Sequence, residues 1–181
     1  MAKARHVTAN TLAEFLANPA NYTHAYLHSR NITDADCQKI AAALRSANQL
    51  IYLQLNQNQI GDAGAAALGQ ALEAHTNLNY LYLSDNQIGA AGAAALGQGL
   101  AANTKLYYLD LQQNQIGDAG AAAIGQGLAA NKVLNYLYLS RNQIGDAGAM
   151  AIAESFQGNK PLLQWLVFDK NYISETTVAE I

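Results

Sequence analysis

Two hydrophobic rhythms take turns along this chain. In LYYLDL, leucines at 106, 109 and 111 sit in a short β-like stretch where neighbouring side chains face opposite ways. From Asp118 to Ala130, Ile124 and Leu128 lie four apart, which marks one face of a helix. The pair of rhythms recurs at a 28-residue step, with LIYLQLNQNQIGDAGAAALGQALEAHTN from Leu50, LNYLYLSDNQIGAAGAAALGQGLAANTK from Leu78, LYYLDLQQNQIGDAGAAAIGQGLAANKV from Leu106 and LNYLYLSRNQIGDAGAMAIAESFQGNK from Leu134. A fixed period in this range marks a solenoid. Strand then helix, repeated, requires parallel strands joined by right-handed crossovers.

The ends are less regular, as expected of terminal repeats. In residues 1–21, Thr11 and Glu14 form a capping signature ahead of a helix that Pro19 stops. Leu12 and Leu16 lie one period before Ile40 and Leu44, so this segment is expected to be the helical half of a degenerate repeat, capping the core. The repeat domain is expected over 22–181, with repeats starting at 22, 50, 78, 106 and 134 and a partial one at 163. That last start comes one residue late, which places an extra residue around Lys160-Pro161. The chain stops at Ile181, equivalent to Leu68 in mid-helix, so either truncation or an atypical cap is expected there.

Leu50, Leu53, Leu55, Asn58, Ile60, Gly64, Leu68 and Leu72, with their equivalents in the next three repeats, spell L-x-x-L-x-L-x-x-N-x-I-x-x-x-G-x-x-x-L-x-x-x-L. This pattern resembles that of the leucine-rich repeats, and its length resembles the ribonuclease-inhibitor-like subfamily. The resemblance implies an α/β fold: a curved right-handed β-α superhelix with parallel strands on the concave face and helices on the convex face. It also implies that Asn58, Asn86, Asn114, Asn142 and Asn171 hydrogen-bond the backbone of the adjacent turn. Asp62, Asp118 and Asp146 are placed to cap their own helices, an arrangement that Ala90 breaks. The small residues of AGAAALGQGLAAN keep the helices thin, which predicts a comparatively flat arc, and Gln70, Gln98 and Gln126 form a bland outer row.

Composition narrows the function classes. Ten lysines and arginines against thirteen acidic residues, scattered and summing to a net charge of −3, give no nucleic-acid footprint. No apolar run approaches the ~20 residues that span a bilayer. The single cysteine, Cys37, allows no internal disulfide, aligns with Ala65 inside a helix and reads as a buried thiol. His24 and His28, four apart on a strand, are about 13 Å apart and too distant to share a metal ion. No nucleophile, base pair or phosphate loop has a recognisable spacing, so neither catalysis nor a cofactor is expected.

The remaining signal lies on one face of the strands. The third position of each repeat reads His24, Tyr52, Tyr80, Tyr108, Tyr136, Trp165, and the fifth reads Tyr26, Gln54, Tyr82, Asp110, Tyr138, Val167. Seven of the ten tyrosines therefore fall on one surface. They could stack as cross-strand pairs, or form a contact patch, since tyrosine, tryptophan and arginine dominate interface energetics. The expected partner-binding residues are Tyr52, Tyr80, Tyr82, Tyr108, Asp110, Tyr136, Tyr138, Arg141 and Trp165, with Asp110 exposed to receive a lysine or arginine. Six strands project only about 400–500 Å², against roughly 800 Å² per partner in a standard interface.

The expected function is a non-catalytic scaffold that binds a protein partner, acts as a monomer and works in the cytoplasm. Alternatives are regulation of a small GTPase or another host factor by a bacterial effector secreted into a host cell, sugar or peptide binding on the tyrosine row, and a structural module self-associating through its C-terminal end.

Overall fold

In the computed structural model, residues 7–74, 77–156 and 163–178 are described. The elements run β1 (Thr8–Ala9), α1 (Leu12–Ala17), a 3-10 turn (Pro19–Asn21), β2 (His24–Tyr26), α2 (Asp34–Leu44), β3 (Tyr52–Gln54), α3 (Asp62–Glu73) and β4 (Tyr80–Tyr82). They continue through α4 (Ala90–Ala102), β5 (Tyr108–Asp110), α5 (Gly117–Ala130), β6 (Tyr136–Tyr138), α6 (Asp146–Glu154), β7 (Trp165–Val167) and α7 (Glu175–Val178). The seven strands form one open sheet in sequence order. Every pairing is parallel.

Register follows the sequence period. Tyr52, Tyr80, Tyr108 and Tyr136 are direct partners from β3 to β6. Tyr136 then pairs with Trp165, a step one residue longer. The extra residue expected near Lys160-Pro161 lies outside the described residues, as does Ile181.

The N-terminal segment holds more than a helix. A two-residue strand, β1, pairs with β2 ahead of α1, an element too short to show an alternation in sequence. Thr11 and Glu14 do form a capping box: the Thr11 Oγ1 accepts from Glu14 N at 3.2 Å, and the Glu14 carboxylate accepts from Thr11 N at 3.1 Å. Phe15 is the fully buried side chain of α1, while Leu12 and Leu16 are partly buried against the core.

Strands β2 to β6 each bury their middle residue and leave the two beside it half-exposed, apart from Asp110. Leu53, Leu81, Leu109 and Leu137 thus stack in one core with Ile60, Ile88, Ile116 and Ile144 and the helix residues Leu68, Leu96 and Ile124. The asparagines close this core at the strand exits. Asn114 donates through Nδ2 to the carbonyls of Leu83 and Leu111 at 3.0 Å and of Gln112 at 3.2 Å, and its Oδ1 accepts from Ile88 N at 3.0 Å. Each side chain thereby ties its own turn to the repeat before it. Asn103 and Asn131, which cap α4 and α5, form a second ladder: Asn131 Nδ2 donates to Leu100 O at 2.7 Å, and its Oδ1 accepts from Leu134 N at 2.7 Å.

The aspartates cap in a different way from the one expected. Asp62 is the first residue of α3, and its Oδ1 accepts from Gly89 N at 2.7 Å and Gly92 N at 2.8 Å, at the start of α4. Asp34 does the same for Gly61 and Gly64, and Asp118 for Gly145 and Gly148. Each carboxylate therefore caps the helix of the following repeat. The reason is position: these aspartates stand first or second in their helices, not third as Glu14 does in its capping box, and the next helix lies alongside. The glycines make room, since a Cβ on Gly64 would come 2.5 Å from the Asp34 carboxylate.

Ala90 interrupts this series, and the next repeat responds. Gly61, Gly89 and Gly145 precede their helices in extended conformation, at φ −101°, −95° and −100°. Gly117, which would face Ala90, instead turns over to φ +60° and donates to Asn142 O, so α5 starts one residue early. Ala90→Asp is expected to restore the clamp and raise unfolding stability by about 1 kcal/mol, the usual worth of a helix cap. Asp62→Ala is expected to lower it by a similar amount. A denaturant titration of the two variants checks both signs.

Cys37 is fully buried in α2, and burial, reinforced by Asp34 and Asp36, pushes its thiol up to about 12. Such a thiol stays protonated and inert at neutral pH. Among the described residues, no helix is long and apolar enough to cross a membrane.

Candidate functional site

The open face of the sheet carries a continuous chain of aromatic rings. It starts with His24 against Tyr52 at a centroid distance of 5.4 Å. From there it zigzags: Tyr26 to Tyr52 at 5.4 Å, Tyr52 to Tyr82 at 5.0 Å, Tyr82 to Tyr108 at 4.8 Å, and Tyr108 to Tyr138 at 5.2 Å. Tyr80 and Tyr136 flank Tyr108 at 6.0 and 6.1 Å. These separations lie in the range where aromatic pairs attract beyond simple area burial. All seven tyrosines of the face are half-buried.

The zigzag has a packing logic. Fifth-position rings on β2, β4 and β6 lean onto third-position rings on β3 and β5. The fifth positions of β3 and β5 are the smaller, polar Gln54 and Asp110. Large and small residues alternate strand by strand, so the fifth-position variation seen in the sequence satisfies ring packing as well as any partner. Single-chain periodicity hides this, because the alternation runs across strands 28 residues apart.

Asp110 corrects an expectation. It is only 7% exposed, since Tyr82 and Tyr138 stand in register on either side of it. Its Oδ1 accepts from Gln112 N at 3.0 Å and from Gln112 Nε2 at 3.2 Å. Arg141 stands apart from the rings, in a left-handed turn after β6, where its guanidinium donates to Gln113 Oε1 at 3.1 Å. Gln113 in turn donates to Asp85, so the residues following β4, β5 and β6 form a polar rim. Trp165, on the edge strand β7, is 58% exposed. The tyrosines and Asp110 are thus brought together, while Arg141 and Trp165 border them.

Tyr107 is the member that sequence reasoning missed. It precedes β5 and packs on Tyr136 at 5.3 Å and Tyr80 at 6.1 Å. Strand alternation does not apply to a residue outside the strand, so only its residue type could have signalled it.

Burial raises the phenol pKa of Tyr52, Tyr82 and Tyr108. For Tyr82 the hydrogen bond to Tyr52 adds to this, and for Tyr108 the charge of Asp110 does. Raised folded-state values mean that these groups support folding below the ordinary tyrosine value of about 10 and oppose it as pH rises beyond. Following phenolate absorbance against pH is therefore expected to show a subset of tyrosines ionising late in the folded protein. Folding stability is expected to fall with pH over the same range.

A parallel β-α solenoid with an asparagine at each strand exit defines a stacked-repeat protein. The Leucine Rich repeat model matches residues 48–69, 74–97, 102–125 and 130–153, just over half of the sequence. The chain belongs to the leucine-rich repeat family. No curated protein matches it at a significant level. Among solved structures, leiomodin-1 actin-binding site 2 is similar at a TM-score of 0.66 and 20% identity, over 82% of this chain and 86% of that one. An internalin from Listeria monocytogenes aligns at a TM-score of 0.39 and 21% identity, over 94% of this chain and 61% of its own.

Proposed function

We propose that this chain is a non-catalytic module that binds a protein partner through the tyrosine face of its sheet. The observation that carries the reading is the unbroken, half-exposed aromatic chain from His24 to Tyr138, bordered by exposed Trp165. Rings locked against one another lose little conformational freedom on binding, which makes them efficient contact residues. The membership in the leucine-rich repeats supports the same reading, as domains of that family generally mediate protein contacts. The 28-residue step supports the ribonuclease-inhibitor-like branch.

The test combines Tyr82→Ala, Tyr138→Ala and Trp165→Ala in one variant, with circular dichroism to confirm folding. Pull-down with mass spectrometry is expected to lose the partners that the parent chain retains. Unchanged partners on a folded variant would sink the reading.

Self-association has an observation of its own. Ala149, Ala153, Phe156, Leu166 and Phe168 line an apolar hollow of about 240 Å³ toward the C-terminal end. Sedimentation velocity decides between a monomer and a concentration-dependent oligomer.

A further inference from the structure

We propose that Asp110 and the two tyrosines beside it form a receptor for a single lysine side chain presented by the partner; this rests on the tyrosine face being the binding surface. In register, Tyr82, Asp110 and Tyr138 occupy the fifth positions of three adjacent strands. The carboxylate thus lies at the floor of a notch whose walls are two rings. Strands lie about 4.8 Å apart, so the walls stand roughly 10 Å apart at the backbone. Both rings pack on Tyr108, and the Gln112 side chain lies against Oδ1, which leaves Oδ2 as the approach.

The electrostatics call for a cation. Asp110 is almost wholly removed from water, yet the one ion pair among the described residues joins Lys39 to Asp36 on α2, away from the sheet face. Its Oδ1 takes two neutral donors from Gln112, whereas Oδ2 accepts from no described residue and is not sealed from solvent. A carboxylate already desolvated and held by its neighbours has had much of the cost of ion pairing met before a partner arrives. Aromatic rings on both sides add attraction for a cation and cover an aliphatic stem. Fork-on-fork pairing with arginine needs both carboxylate oxygens, and here one is engaged, so a compact ammonium suits the notch better than a guanidinium.

Gln54 makes a matching position two strands away, between Tyr26 and Tyr82. It offers an amide in place of a charge. The notch at Asp110 is therefore the one of the pair that selects for a cation.

Fluorescein-labelled octalysine and octaarginine serve as probes, read by fluorescence anisotropy at moderate salt. Asp110→Asn keeps the shape and the Oδ1 acceptor while removing the charge. Asp169→Asn, at an exposed site, removes the same net charge elsewhere. Octalysine is expected to bind the parent chain more tightly than octaarginine, to weaken at least tenfold with Asp110→Asn, and to change less than twofold with Asp169→Asn. Absence of octalysine binding, equal effects of the two variants, or equal affinity for octaarginine overturns the lysine site. The triple variant at Tyr82, Tyr138 and Trp165 keeps the two ideas separate. If it loses the partner while octalysine ignores Asp110, the lysine site falls and the surface stands. If it keeps the partner, the surface itself falls.

Discussion

Replacing Asn114 by alanine is expected to lower unfolding stability by about 3 kcal/mol. Its side chain makes four hydrogen bonds to backbone groups of two successive repeats, and alanine can replace none of them. Stranding a buried donor such as Ile88 N costs roughly 1–3 kcal/mol, and the lost carbonyl contacts add to it. The position compounds the effect. A solenoid is held together by contacts between neighbouring repeats, so a break at a central repeat also weakens cooperativity. Urea titration followed by far-ultraviolet circular dichroism is expected to show a lower midpoint and a broadened transition. Gln126→Ala, on the exposed outer row, is the control and is expected to shift stability by less than about 0.5 kcal/mol.

Gly127→Ala is expected to destabilise by about 1–3 kcal/mol, even though the residue lies inside a helix. Helix propensity alone predicts a gain of about 1 kcal/mol for this change. Packing predicts the reverse, because the added Cβ would press on the Gly97 carbonyl of α4 and come 3.0 Å from its Cα. Backbone atoms cannot swing aside as a side chain can, and overpacking of this kind typically costs 1–3 kcal/mol. Gly97 and Gly69 face the same constraint one repeat apart, each with a carbonyl 2.5 Å from its would-be Cβ, those of Ala123 and Ala95. A thermal melt that rises rather than falls for Gly127→Ala would show that α4 and α5 can separate without loss.

Much of this could be read before any coordinates. The 28-residue period placed β3 to β6 in register, and the leucines at fixed spacing identified the core. Strand alternation alone assigns the seven tyrosines to one face, and they lie there. What escaped was any relation between repeats other than identity. The aspartate clamps reach from one helix to the next, and the ring zigzag alternates strand by strand. Asp110 occupies a position that is exposed in an isolated strand, whereas the rings that flank it belong to other strands.

The sequence by itself determined the fold family, the strand order and the face on which the aromatic residues gather. Those depend on periodicity, which is a property of the chain as written, because a repeat shorter than a domain can bury its apolar face only against its own copies. Tertiary structure alone decided where each polar group finds its partner: Asp62 on α4, Asn114 on the preceding turn, Asp110 beneath Tyr82 and Tyr138. Hydrogen bonds and ring contacts act over a few ångströms, and stacking brings residues 26 to 31 positions apart within that reach.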